Sequence, residues 1–150
     1  MGKAVVDFLS PDDVFIDLVA SDKPQLLREL SRRAAARLGL DEASVTNEIL
    51  NRESLGSTGV GNGVAIPHAR LIGLINPFAI LARLRRPIEF DAIDGKPVDL
   101  VFLLLMRGDN EVGQINVLAA VARKLRSPDT LTRLRNARNA PELYEAIGSD

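Results

Sequence analysis

Apolar positions recur along the chain in two rhythms, one of about 3.6 residues and one of about two, and the changes between them mark the elements. An apolar start at Val5, Val6 and Leu9 leads into the turn Ser10-Pro11-Asp12-Asp13, after which residues 14–19 read as a strand. Asp22 is a helix-capping residue. From it, Leu27, Leu30, Ala34 and Leu38 recur at helical spacing with Arg28, Arg32, Arg33 and Arg37 facing outward, until Gly39 ends the helix. A second helix starts near Asp41 and turns Val45 and Ile49 inward. A glycine-dense loop, residues 56–63, runs into a short strand at 64–66. Residues 78–84 alternate only loosely. Residues 98–106 are almost continuously apolar, as in a central strand covered on both faces. Ile115, Leu118, Ala119, Ala122 and Leu125 restore the helical period, and Ser127-Pro128 caps a further helix carrying Leu131 and Leu134. A last helix holds Leu143 and Ile147. Helices before and after a few strands, without a βαβ rhythm, predict an α/β fold: a mixed β-sheet flanked by helices on both faces.

Composition narrows the chemistry. The 150 residues form one domain by length, with a core expected over about residues 5–148. There is no cysteine, which excludes disulfides, thiolate metal sites and cysteine nucleophiles; a single histidine excludes a multi-histidine metal site within the chain. Nineteen basic against twenty acidic side chains give no pull toward nucleic acid, and the halves are similar: eight against ten in residues 1–75, eleven against ten in 76–150. The longest apolar run, residues 100–106, is far short of the roughly 20 residues that span a bilayer. Asp7 interrupts a signal-peptide core and Val6 stands where myristoylation requires Ser or Thr, so a cytoplasmic location without membrane insertion is expected. The arginines at 123, 126, 133, 135 and 138, with Lys124, read either as the solvated face of amphipathic helices or as a dock for an acidic partner.

Chemistry concentrates between Arg52 and His68, in RESLGSTGVGNGVAIPH. Four glycines in eight residues let backbone amides approach an anion. The segment is not a P-loop, because neither Gly2-Lys3 nor Gly95-Lys96 is followed by Ser or Thr. Nor is it a dinucleotide fingerprint, because a helix precedes it and a strand follows. The plain alternative is a tight helix-to-strand turn. His68, stiffened by Pro67, is the side chain that titrates near neutrality, and a neutral imidazole is a nucleophile. Arg52, the hydroxyls of Ser57 and Thr58, and the loop backbone at Gly59, Gly61, Asn62 and Gly63 are candidates to cradle a phosphoryl group on it.

These residues carry a resemblance. GSTGVGNGVAIPHAR is similar to the phosphorylation-site segment of EIIA domains of the fructose/mannitol class (EIIA type 2) of the bacterial phosphotransferase system, and the chain as a whole most resembles the nitrogen-regulatory branch. Arg52-Glu53, RRPIEFDAIDGKPVDLVFLLL from Arg85, and Glu142-Leu143-Tyr144 extend the match. The resemblance implies a mixed sheet flanked by helices, and His68 as phosphoacceptor through Nε2, charged by the phosphohistidine of an HPr-like phosphocarrier. It implies Arg52 as the active-site arginine and no cofactor. The phosphorylation state would control a regulated transporter or sensor kinase, in nitrogen- or potassium-type regulation. One departure stands out: where the family usually has a second histidine, in a His-Leu-x-x-Leu pattern, this chain has Gln114, an auxiliary donor that cannot carry a charge. A chain with transfer impaired by that change would be a non-catalytic module that docks to a transporter or kinase.

Overall fold

The computed structural model of the chain describes residues 7–108 and 111–148, with the backbone alone over residues 111–116. Val5 and Val6 lie outside the described residues. A 3-10 turn at Pro11–Asp13, capped by Ser10, feeds β1 (Val14–Leu18). Two helices follow, α1 (Lys23–Leu38) and α2 (Glu42–Ser54). Then come β2 (Gly59–Gly61), β3 (Val64–Ala65), β4 (His68–Leu71), β5 (Phe78–Ile88) and β6 (Val98–Arg107). Three helices close the chain: α3 (Glu111–Arg126), α4 (Pro128–Asn136) and α5 (Ala140–Gly148).

The strands form one mixed sheet in the order β1-β5-β6-β3-β2, with β4 also paired to β6. β1 runs parallel to β5, β5 antiparallel to β6, and both β3 and β4 parallel to β6. Strand periodicity divides the side chains between two cores. Val101, Leu103 and Leu105 of β6 join Ile80, Ala82 and Leu84 of β5 under α1 and α2. Leu100, Phe102, Leu104 and Met106 join Ala79 and Leu81 under α3, α4 and α5. This two-sided burial is why residues 98–106 and 78–84 show no clean alternation. β5 extends to Ile88, four residues past the sequence expectation. Its register breaks between Arg83 and Ile88, where Arg85, Arg86 and Pro87 are exposed and Pro87 has no ladder donor.

Helix ends are set locally. Asp22 accepts from the Gln25 N–H and Asp41 from the Ser44 N–H, each satisfying an amide that the helix itself leaves open. Gly39, at φ +67°, closes α1. The last turn of α4 is capped by Arg83 of β5, which donates to the carbonyls of Leu134, Arg135 and Ala137 at 2.8, 3.1 and 2.7 Å. Two of the C-terminal arginines have internal partners: Arg135 binds Asp99 and Arg138 binds Glu142.

Candidate functional site

His68 begins β4, and the break before it is written in the sequence. Pro67 has no N–H to give to a ladder, so β3 stops at Ala65 and β4 restarts at His68, each beside β6. The Pro67 carbonyl accepts from Leu104 N–H at 2.9 Å, fixing the restart. Along β4, Ala69 and Leu71 enter the core beneath α1 and α2, leaving His68 and Arg70 on the opposite face, where they border an open cleft of 620 Å³. Arg52 and Leu55, from the C-terminal end of α2, form another wall, with Met106 and Leu118 at its apolar side.

The half-buried imidazole is held at both nitrogens. Arg52 Nε lies 3.3 Å from His68 Nε2, and His68 Nδ1 lies 2.9 Å from the Ile66 carbonyl. A guanidinium only donates and a carbonyl only accepts, so the neutral ring carries its proton on Nδ1 and its lone pair on Nε2. Burial pushes the His68 pKa below the ordinary histidine value. The Ile66 carbonyl and Glu53 oppose this, while the positive Arg52 and Arg70 add to it. Near neutral pH the ring is therefore uncharged, with the Arg52 cation beside the Nε2 lone pair. Arg52 is steadied by a second bond, from Nη1 to the Gly56 carbonyl at 3.0 Å.

A family model described as the phosphoenolpyruvate-dependent sugar phosphotransferase system, EIIA 2, matches residues 7–149. The chain belongs to this family. Its relatives include the nitrogen regulatory protein of Bradyrhizobium diazoefficiens, 42% identical over 143 residues that make up 95% of this chain and 94% of that protein. Among solved structures, nitrogen regulatory protein IIA-Ntr from Neisseria meningitidis superposes with a TM-score of 0.87 at 34% identity, covering 94% of this chain and 97% of that one. The mannitol IIA enzyme of Escherichia coli, solved in complex with phosphorylated mannitol IIB, shares the fold with a TM-score of 0.76 at 17% identity, covering 92% of this chain and 95% of that one.

Within this EIIA chain the structure brings together His68 and Arg52, and places the expected glycine cradle elsewhere. Residues 59–65 are a β-hairpin whose two-residue turn is Asn62-Gly63, at φ +58° and +78°. Asn-Gly with both residues at positive φ is the preferred turn for such a hairpin, a signal that the phosphate-loop reading passed over. Val64 sits opposite Leu100 and His68 opposite Leu104, four residues or about 13 Å along β6. The turn is docked away from the cleft: Asn62 N–H donates to Asp94 at 3.0 Å, and the Asn62 carbonyl accepts from Arg135. Gly59 and Gly63 serve close packing. A Cβ at Gly59 would lie 2.8 Å from Ala92 Cα, and one at Gly63 2.8 Å from an Asp99 oxygen. Gly61, between them, packs opposite Asp94 in the same hairpin.

The two hydroxyls of the expected cradle are also engaged internally. Ser57 Oγ donates to the Phe90 carbonyl at 2.8 Å and accepts from Gly59 N–H at 3.1 Å. Thr58 gives both its N–H and its hydroxyl to Glu53, at 2.9 and 2.6 Å. None of residues 57–63 lines the cleft beside His68. Hairpin geometry and internal hydrogen bonds thus engage the groups expected to face an anion. Gln114 belongs to the first turn of α3, and its side chain lies outside the described residues. Arg70 joins His68 on this face only through β4, two residues beyond it in the strand.

Proposed function

We propose that this EIIA protein works as one domain, as a cytoplasmic phosphohistidine relay and regulator. An HPr-like phosphocarrier delivers a phosphoryl group to His68 Nε2, and the phosphorylation state then controls a transporter or sensor kinase. The observation that carries the reading is the neutral His68 ring, with its lone pair on Nε2 beside Arg52 in an open cleft. In the transfer the Nε2 lone pair attacks phosphorus while the carrier's N–P bond breaks, and that bond's electron pair returns to the carrier's imidazole. Like replaces like, so the protein's contribution is alignment and charge neutralisation. Arg52 now holds the lone pair that must react. Its guanidinium therefore moves from Nε2 to the phosphoryl oxygens as the new bond forms, and a group carrying about −1.5 to −2 charges gains a partner. Gln114 supplies an auxiliary amide donor near the start of α3. The nitrogen regulatory relatives support the regulatory role, and the complex of the mannitol enzyme with its phosphorylated IIB partner supports docking of this fold to a phosphorylated protein.

Transfer kinetics with an HPr-like carrier test the assignment of roles. Arg52→Ala slows phosphorylation by about tenfold or more while the fold persists, because a charge pair at roughly 5 Å is worth about 3 kcal/mol at an effective dielectric of 20 before salt screening. Gln114→His speeds it by about tenfold, since a charged donor is about twice as strong as a neutral one. An unchanged rate in Arg52→Ala removes that residue from the site.

A further inference from the structure

The sharpest unassigned feature is a buried polar hub behind the cleft, centred on Glu53. This carboxylate is 8% exposed and Thr58 only 4%. Glu53 receives the Thr58 hydroxyl and N–H, and Lys23 Nζ of α1 lies 2.9 Å away. Lys23 also donates to the Phe90 carbonyl, which Ser57 shares, and sits over the Phe90 ring. A buried carboxylate satisfied this fully is a fixed point, because every partner is lost at once if it moves.

From this hub, hydrogen bonds joined through the Thr58 and Ile66 backbone lead to the imidazole. The Thr58 carbonyl accepts from Ile66 N–H at 3.0 Å, and the Ile66 carbonyl accepts from His68 Nδ1 at 2.9 Å. Glu53 also adjoins Arg52, which occupies the other ring nitrogen. The same carboxylate thus sits in the last turn of the helix that presents the Arg52 guanidinium to Nε2, and is linked through Thr58 to the Ile66 backbone, whose carbonyl accepts from Nδ1–H.

We propose that Glu53 and Thr58 are positioning residues for His68, which act through the backbone of Ile66 to keep the ring proton on Nδ1 and the lone pair on Nε2. The proposal rests on the phosphoacceptor reading for its consequence, but the tautomer is a property of the protein alone. A neutral histidine with its proton on Nε2 has no lone pair there and cannot attack, so loosening the Ile66 carbonyl lowers the reactive fraction before any carrier binds.

The test uses the full chain with nitrogen-15-labelled histidine, whose two ring shifts report the tautomer at pH 8. Three variants are compared with the parent: Thr58→Val, which keeps the shape and removes the hydroxyl; Thr58→Ser, which restores it; and Glu53→Gln. Expected are an Nδ1-protonated ring in the parent and in Thr58→Ser, and a mixed tautomer in Thr58→Val and Glu53→Gln. Phosphorylation at saturating HPr-like carrier falls about tenfold in the latter two, with the carrier's KM unchanged. A single Nδ1-protonated tautomer and parental rates in both folded variants overturn the proposal. Should Thr58→Val fail to fold, Glu53→Gln against Thr58→Ser decides it. If the parent itself accepts no phosphoryl group, the phosphoacceptor reading fails, while the ring shifts still report on the hub.

Discussion

At His68, two contacts decide the chemistry: Ile66 takes the proton side of the ring and Arg52 faces the lone pair. Burial is the main cause of its lowered pKa, and this has a consequence for stability. The unfolded chain protonates this histidine at about pH 6.5 and the folded protein only at lower pH. Between those two values the unfolded state binds more protons, so folding stability rises with pH in that window. The contribution is complete above about pH 6.5 and is lost as the pH falls toward the lowered folded value. His68→Gln removes this dependence. In urea unfolding, the stability of the parent relative to His68→Gln should therefore decline on acidification from pH 7.5 to 5, and a relative gain would contradict the assigned shift.

Among the elements, the Asn62-Gly63 hairpin separates a structural glycine from a functional one. Gly63→Ala forces φ +78° on a residue with a Cβ, at about 1–2 kcal/mol, and sets that carbon against Arg135 and Asp99. A loss of about 2–3 kcal/mol in urea unfolding is expected. Phosphorylation of the folded variant should stay within about twofold of the parent, a difference of only about 0.4 kcal/mol. A tenfold slower transfer with little loss of stability would return the glycines to a phosphoryl cradle.

The same scale shows what the sequence made legible. The ends of α1 and the starts of α2 and α4 were readable because Asp22, Gly39, Asp41 and the Ser127-Pro128 pair act within a few residues of themselves. The strands β2 and β4 were not readable: three and four residues long, they exist only through pairing to β3 and β6. The motif brought His68 and Arg52 into view, whereas the Thr58–Glu53 contacts close only when α2 and the hairpin meet.

Across the whole molecule, the sheet is a scaffold clamped between two cores, and the site lies where they adjoin. Ala69 and Leu71 anchor β4 in one core, while Met106 and Leu118 of the other border the cleft that His68 shares. Among the described residues no helix is long and apolar enough to cross a membrane. The proposed phosphohistidine relay places one reactive ring at the margin of this sheet. Intact-mass measurement after incubation with phosphoenolpyruvate, the first enzyme of the phosphotransferase system and an HPr-like carrier tests this most directly. The chain should gain one phosphoryl group that is lost in acid and kept in base, and His68→Ala should gain none. No mass gain in the parent, or a phosphate that survives acid or persists in His68→Ala, would contradict it.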